Sequence, residues 1–213
     1  MRYIVSLILL TGLAACSGST SPNSFLMRTA GVGSKFVYKV WETDTTGQPT
    51  RTWLFTDSII ATNLVYADKP NVSMMMSYVD SSMDTNDLTY IAYESNGDIS
   101  MRDSVSWGPP AGRWTTLPLN SKGTRSYLAL DDTGKTDSYA YDGEENLILA
   151  NHSFSTIKVV WTQSRSAFYN DAKMTIWISK ETGWIVKQES PVNTWGDHKE
   201  GGLYSVLLYC VLK

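Results

Sequence analysis

From residue 35 onward the chain is a succession of short segments in which side-chain character alternates, and many are followed by a glycine-bearing turn. In "KFVYKVW", Phe36, Tyr38 and Val40 share one face, and Val37, Lys39 and Trp41 share the other. In "MTIWIS", Met174, Ile176 and Ile178 oppose Thr175, Trp177 and Ser179. A period of two places alternate side chains on opposite faces of an extended strand, and β-branched and aromatic residues suit that pleated surface. The breaks are "DTTGQ", "ESNGD", "DDTGK" and "KETGW". Each supplies a glycine for the positive φ that a hairpin demands. Asn96-Gly97 is the pair favoured by a type I′ turn. "EENLILANH" reads equally as a turn or two of helix or as a strand, and no other segment approaches a helical period.

This pattern predicts an all-β domain, an antiparallel meander of about ten to twelve strands. A sheet of that size twists and must protect its edges. A strongly curved sheet or barrel is therefore expected, with a two-sheet sandwich as the alternative. The last strand, "LYSVLLYCVL", is apolar on both sides. Tyr204, Val206, Leu208, Cys210 and Leu212 lie against Leu207, Tyr209 and Val211. That predicts cover on both faces.

The head of the chain has a different logic. Arg2 is followed by an apolar run from Ile4 to Leu13 and by the small residues Ala14 and Ala15. The run is about ten residues, half of the roughly 20 that a membrane-spanning helix needs. Charge, apolar run and small residues follow the pattern of a secretory signal. The four residues Leu13-Ala14-Ala15-Cys16 then resemble the lipobox of bacterial lipoproteins. The resemblance implies a diacylglyceryl thioether on Cys16, cleavage before it, and acylation of the new amino terminus. Several acyl chains would give durable anchoring. Ser17, where aspartate would imply inner-membrane retention, implies the bacterial outer membrane, with the face left open. Residues 1–15 are thus expected to be a lipoprotein signal peptide. Residues 16–24 would be the lipidated cysteine and a flexible Gly/Ser/Pro tether, and residues 25–213 one all-β domain.

The hairpin "TIWISKETGWIVKQES" and the opening "GVGSKFVYKV" resemble segments of β-rich bacterial lipoproteins of unassigned chemistry. That likeness implies curved antiparallel sheets. A more distant likeness is to the periplasmic lipoprotein-carrier fold, an open half-barrel with helices across its mouth. The chain departs from it in lacking plug helices.

Composition narrows the partners. The formal charge is −3, and no basic run exists, so nucleic acid is not an expected partner. The chain has two cysteines. With Cys16 assigned to lipid, Cys210 is left without a partner in the chain and reads as a small buried hydrophobe.

Candidate chemistry is sparse. No nucleophile elbow, zinc-protease, Cys-x-x-Cys or phosphate-loop motif occurs. His152 has no carboxylate at useful spacing. Asp197, His198 and Glu200 form an acid–base or metal cluster on paper, but a polar Gly-rich connection explains them as well. Met74 and Met76 share a strand face and carry soft sulfur ligands suited to Cu(I), although methionine commonly fills cores. Trp107, Arg113 and Trp114, in "WGPPAGRW", are candidate ligand contacts, or a clamp holding a long connection to the core.

These features point to a non-enzymatic, membrane-anchored envelope lipoprotein with no cofactor. Its β-domain would bind a lipid, peptide or glycan, or a protein partner of the envelope. A hydrolase of envelope polymers would require His152 or His198 beside a serine or carboxylate in a cleft. A copper-handling lipoprotein would require further soft ligands near Met74 and Met76.

Overall fold

A computed structural model describes residues 30–79, 82–103, 113–128, 136–150, 152–164, 172–195 and 198–213. Cys16, Trp107, Asp197 and the "DDTGK" glycine lie outside them.

The alternating segments form the predicted strands. The first meander is β1 (Lys35–Thr43), β2 (Pro49–Tyr66), β3 (Lys69–Val79), β4 (Ser82–Tyr93), β5 (Ile99–Asp103) and β6 (Thr115–Leu117). The second is β7 (Thr124–Leu128), β8 (Thr136–Leu149), β9 (His152–Ser164), β10 (Ala172–Ser179) and β11 (Ile185–Ser190). A small hairpin of β12 (Asn193–Trp195) and β13 (His198–Glu200) then stands apart as its own two-stranded sheet. The chain ends on β14 (Leu203–Val211).

Twelve strands make one antiparallel sheet in the order β6-β5-β4-β3-β2-β1-β14-β11-β10-β9-β8-β7. The two meanders join where β1 pairs with β14. Their free ends, β6 and β7, are consecutive in the chain and come together to make a nearly closed barrel. It is a single curled sheet, not a two-sheet sandwich. "EENLILANH" resolves as strand, since Glu144 through Leu149 pair with Ile157 through His152.

Side chains close the barrel where no ladder does. The Thr116 amide of β6 donates to the Tyr127 hydroxyl of β7 at 2.8 Å. Arg113 donates to Asp137 of β8 at 3.2 Å and stacks over Tyr127. Asp98, fully buried, accepts the amides of Asn120 and Ser121 at 2.8 and 3.0 Å. That fixes the turn running from β6 to β7. The device satisfies edge groups that would otherwise invite pairing with other chains.

The inward faces make the core. Phe36, Tyr38 and Val40 of β1 are buried as the alternation predicts, together with Ile59, Met75, Ile91, Ile99, Val159, Ile176, Ile178 and Val186. Full burial of each aliphatic or aromatic side chain contributes about 1.5–3 kcal/mol. Phe36 stacks on Trp184 with ring centroids 4.2 Å apart. Trp177 points the other way on β10, yet is also buried. Its indole N–H donates to Glu145, and the Lys187 ammonium sits 4.4 Å over its ring.

The last strand departs from strict alternation. Val37 pairs with Tyr209 but Tyr38 with Leu207, so Leu208 is an extra, bulged residue. A one-residue insertion reverses which face each following side chain occupies. Leu207 and Cys210 are therefore both buried, although simple parity separates them. Tyr209, Val211 and Leu212 are exposed, so the expected cover on both faces is not found. Cys210 lies in the core as expected, but it is disulfide-bonded and not a lone thiol.

The turns hold a second correction. Gly47, Gly97 and Gly183 all have positive φ, as predicted. Asn96, however, does not share it. The Gly97 amide bonds the Glu94 carbonyl and the Glu94 amide bonds that of Asp98. This is a type I turn with a glycine bulge, a three-residue loop. The type I′ geometry occurs instead at Ala67 (φ 47°) and Asp68 (φ 67°), between the paired residues Tyr66 and Lys69.

Candidate functional site

The barrel interior is not filled along its whole length. A cavity of about 330 Å³ lies between β1, β2, β3, β11 and β14. Its wall includes Tyr38 and Val40, Trp53 and Phe55, and Ile185 and Leu203. It lies at the small end of the roughly 300–1,000 Å³ range of ligand pockets, with the apolar, aromatic lining typical of them.

One carboxyl group interrupts that lining. Along β2 the residues at alternate positions are Trp53, Phe55, Asp57 and Ile59. The pleat that turns the aromatics inward turns the carboxylate inward as well. Asp57 is only 8% exposed. It stands at the junction of the main cavity and a second one of about 50 Å³, which Met75, Ile91 and Trp184 help to line. Ser77, directly opposite on β3, donates its hydroxyl to Asp57 Oδ1 at 2.7 Å. Among the described residues no cation pairs with it. Burial pushes its pKa up to about 7, and the Ser77 hydrogen bond opposes this only in part.

Tyr38 sets the other side of the site. Its hydroxyl accepts from the Trp184 indole at 2.5 Å and donates to the Ile185 carbonyl at 2.9 Å. Burial, and then the charge of nearby Asp57, raise its pKa well above the ordinary value. It is a fixed, neutral phenol. Gln188, Tyr204 and Ser205 are the other polar residues of the wall, and Gln188 turns its amide nitrogen toward Met174 Sδ. The arrangement suits an apolar body carrying one polar group that meets Asp57.

The residues singled out from sequence lie elsewhere. Trp114 stacks edge-on against Tyr66, 6.5 Å between centroids, and donates to the Ala67 carbonyl at 3.0 Å. Tyr66 in turn lies flat on Tyr90 at 3.8 Å. Arg113 belongs to the barrel seam. Neither lines the cavity. His152 is half-buried at the start of β9 and packs edge-on against Phe154 at 5.1 Å, again away from the cavity. His198 falls on the β12–β13 hairpin, in backbone register with Trp195. Of the methionines, Met75 enters the core while Met74 and Met76 stay half-buried on the opposite face. Their ladder neighbours are Ala61 and Tyr90, and Ser58 and Leu88, which offer no sulfur or imidazole. Among the described residues no group of three or more His, Cys, Asp or Glu could hold a metal ion.

Sequence reasoning passed over Asp57. The available signal was parity: an aspartate on the same face as Trp53, Phe55 and Ile59 of an aromatic strand.

Fold and cavity together define a class: a nearly closed antiparallel β-barrel of one meandering sheet, with a half-open apolar cavity and a buried carboxyl group. One solved structure is similar in fold to this chain, and two others align with the chain more loosely. A candidate lipoprotein from Parabacteroides distasonis superposes with a TM-score of 0.51 at 10% identity, over 86% of this chain and 97% of that one. A candidate exported protein with a YmcC-like fold from Bacteroides fragilis gives 0.46 at 13% identity, over 87% and 98%. The hypothetical lipoprotein YmcC from Escherichia coli gives 0.36 at 12% identity, over 86% and 90%. No protein-family model matches the chain, and no curated protein matches it significantly. At these identities the first likeness speaks to fold alone.

Proposed function

We propose that this chain is a non-enzymatic envelope lipoprotein, held at the outer membrane by lipid on Cys16, whose barrel binds a small, mainly apolar ligand. The observation that carries the binding role is the cavity walled by Trp53, Phe55 and Tyr38 around Asp57. A buried carboxyl without a counter-ion lowers stability, and groups of that kind concentrate at functional sites. His152 is placed away from the cavity, which favours binding over hydrolysis.

Protein purified in mild detergent and extracted into organic solvent tests the binding role. Mass spectrometry of the extract is expected to reveal a small apolar compound at near-stoichiometric amount. Native protein with no such compound, and no affinity for apolar probes, overturns it.

The anchor has its own test. A thioether sulfur cannot also form a disulfide, and the chain has two cysteines. Lipid on Cys16 therefore requires Cys210 to be a thiol in the mature protein, against the disulfide described above. Peptide mass analysis of membrane-extracted protein is expected to give an acylated amino-terminal Cys16 peptide and an alkylatable Cys210. A Cys16–Cys210 bridge, or release of unacylated protein from intact cells, overturns the anchor and leaves the cavity reading standing.

A further inference from the structure

We infer that the ligand of the barrel cavity carries a protonated amine, and that Asp57 is its counter-ion. This rests on the cavity being a binding site and specifies what enters it.

Asp57 lacks a full set of partners. Ser77 supplies one hydrogen bond, to Oδ1. Two basic residues of the strands that wall the cavity are occupied elsewhere, and Lys35 and Lys39 of β1 are exposed. Arg51, on the same strand and face, lies over the Trp53 ring at 4.9 Å. Lys187 lies over Trp177 and pairs with Glu189 at 2.8 Å. An ionised carboxylate accepts up to about four hydrogen bonds, and one is far from saturation. The unfilled positions adjoin open cavity on two sides.

The remaining walls fit the same ligand. Trp53, Phe55 and Tyr38 present aromatic surface, and aromatic faces attract cations. The Tyr38 hydroxyl is already committed to Ile185, so it has no proton to give an anionic head group. A carboxylate or phosphate entering the cavity would meet Asp57 and the dense aromatic faces, both repulsive to it. A neutral alcohol would gain one hydrogen bond but leave the Asp57 charge uncompensated. An alkylamine brings several N–H donors and the missing charge, while its tail occupies the apolar wall. A charge-assisted hydrogen bond of this kind is roughly twice as strong as a neutral one.

Calorimetric titration of the delipidated protein with octylamine, octanol and octanoate, at mildly alkaline pH, separates the possibilities. The expected result is octylamine binding at least about tenfold more tightly than octanol, and octanoate most weakly. Asp57→Asn, nearly isosteric, is expected to erase the amine preference and keep octanol binding. Retained octanol binding, with a cooperative unfolding transition, shows that the Asp57→Asn protein is folded. Octanol and octylamine binding equally to the parent protein overturns the amine assignment while the apolar-cavity reading survives. An amine preference that persists in a folded Asp57→Asn protein overturns the role of Asp57. Binding of none of the three overturns both readings.

Discussion

Trp184 and Tyr38, 146 residues apart in the chain, meet inside the barrel with the indole N–H donating to the phenolic oxygen. The Tyr38 hydroxyl in turn donates a hydrogen bond to the Ile185 carbonyl, so one oxygen serves a donor and an acceptor. The chain through them links β1 to the start of β11 across the intervening β14.

Tyr38→Phe preserves the ring and removes that oxygen. It leaves the indole N–H and the carbonyl without this partner in an apolar surround. Each unsatisfied buried group costs about 1–3 kcal/mol, so a loss of roughly 2–6 kcal/mol is expected in urea unfolding. A loss under about 0.5 kcal/mol would mean that water reaches the pair and repairs it.

Asp57 should give the ligand-free barrel an unusual pH response. Its folded pKa is about 7 against an ordinary 3.8. Between those values the folded state holds a proton that the unfolded chain has released. Stability contributed by that proton is complete at acid pH, declines as pH rises, and is gone above the folded value. The full swing is on the order of 4 kcal/mol. Asp57→Asn should flatten this slope and raise stability at alkaline pH. Denaturant midpoints of both proteins across pH 4 to about 8 check it. Parallel curves would show that Asp57 is ionised throughout.

Asp98 should act with the opposite sign. Burial alone would raise its pKa, but the amides of Ser121 and Asn120 and the Asn96 side chain outweigh it and hold it low. Its stabilisation is present above the unfolded pKa and lost as pH falls through the folded one. Asp98→Ala removes the acceptor of two backbone amides at the barrel seam. A cost of roughly 2–4 kcal/mol is expected. Hydrogen exchange should rise first in β6 and β7, and uniform loss of protection would contradict a local seam.

Gly201 admits no side chain. A Cβ there would lie 1.7 Å from the Thr43 carbonyl oxygen. That residue is fixed by the Thr43 amide bonding the Gly202 carbonyl and the Gly202 amide bonding Thr43 Oγ1. Gly201→Ala must push β1 and β14 apart, at about 1–3 kcal/mol by analogy with overpacking. Gly47→Ala, with nothing within 4 Å of its Cβ, isolates the cost of positive φ alone. Gly201→Ala should exceed it in thermal unfolding, and equal costs would show that the close approach relaxes freely.

How much the sequence determined follows from the range of each force. The period of two is a local property of the backbone, so Phe36, Tyr38, Val40, Ile176 and Ile178 declare their face without knowledge of their partners. Glycine at 47, 97 and 183 declares a positive φ for the same reason. The barrel as a curved meander followed, because short glycine turns leave antiparallel neighbours as the simplest pairing. What parity could not give was where it breaks. The bulge at Leu208 arises from the β1–β14 pairing, and it alone puts Leu207 and Cys210 on one side. The seam from Thr116 to Tyr127 and the indole of Trp184 on Tyr38 are likewise contacts between distant segments. Asp57 lies between the two cases. Its inward direction was written in β2, but its burial beside an open cavity depends on five strands meeting around it. Desolvation is a property of that enclosure and not of the residue, so only the tertiary structure could turn an ordinary aspartate into a candidate counter-ion.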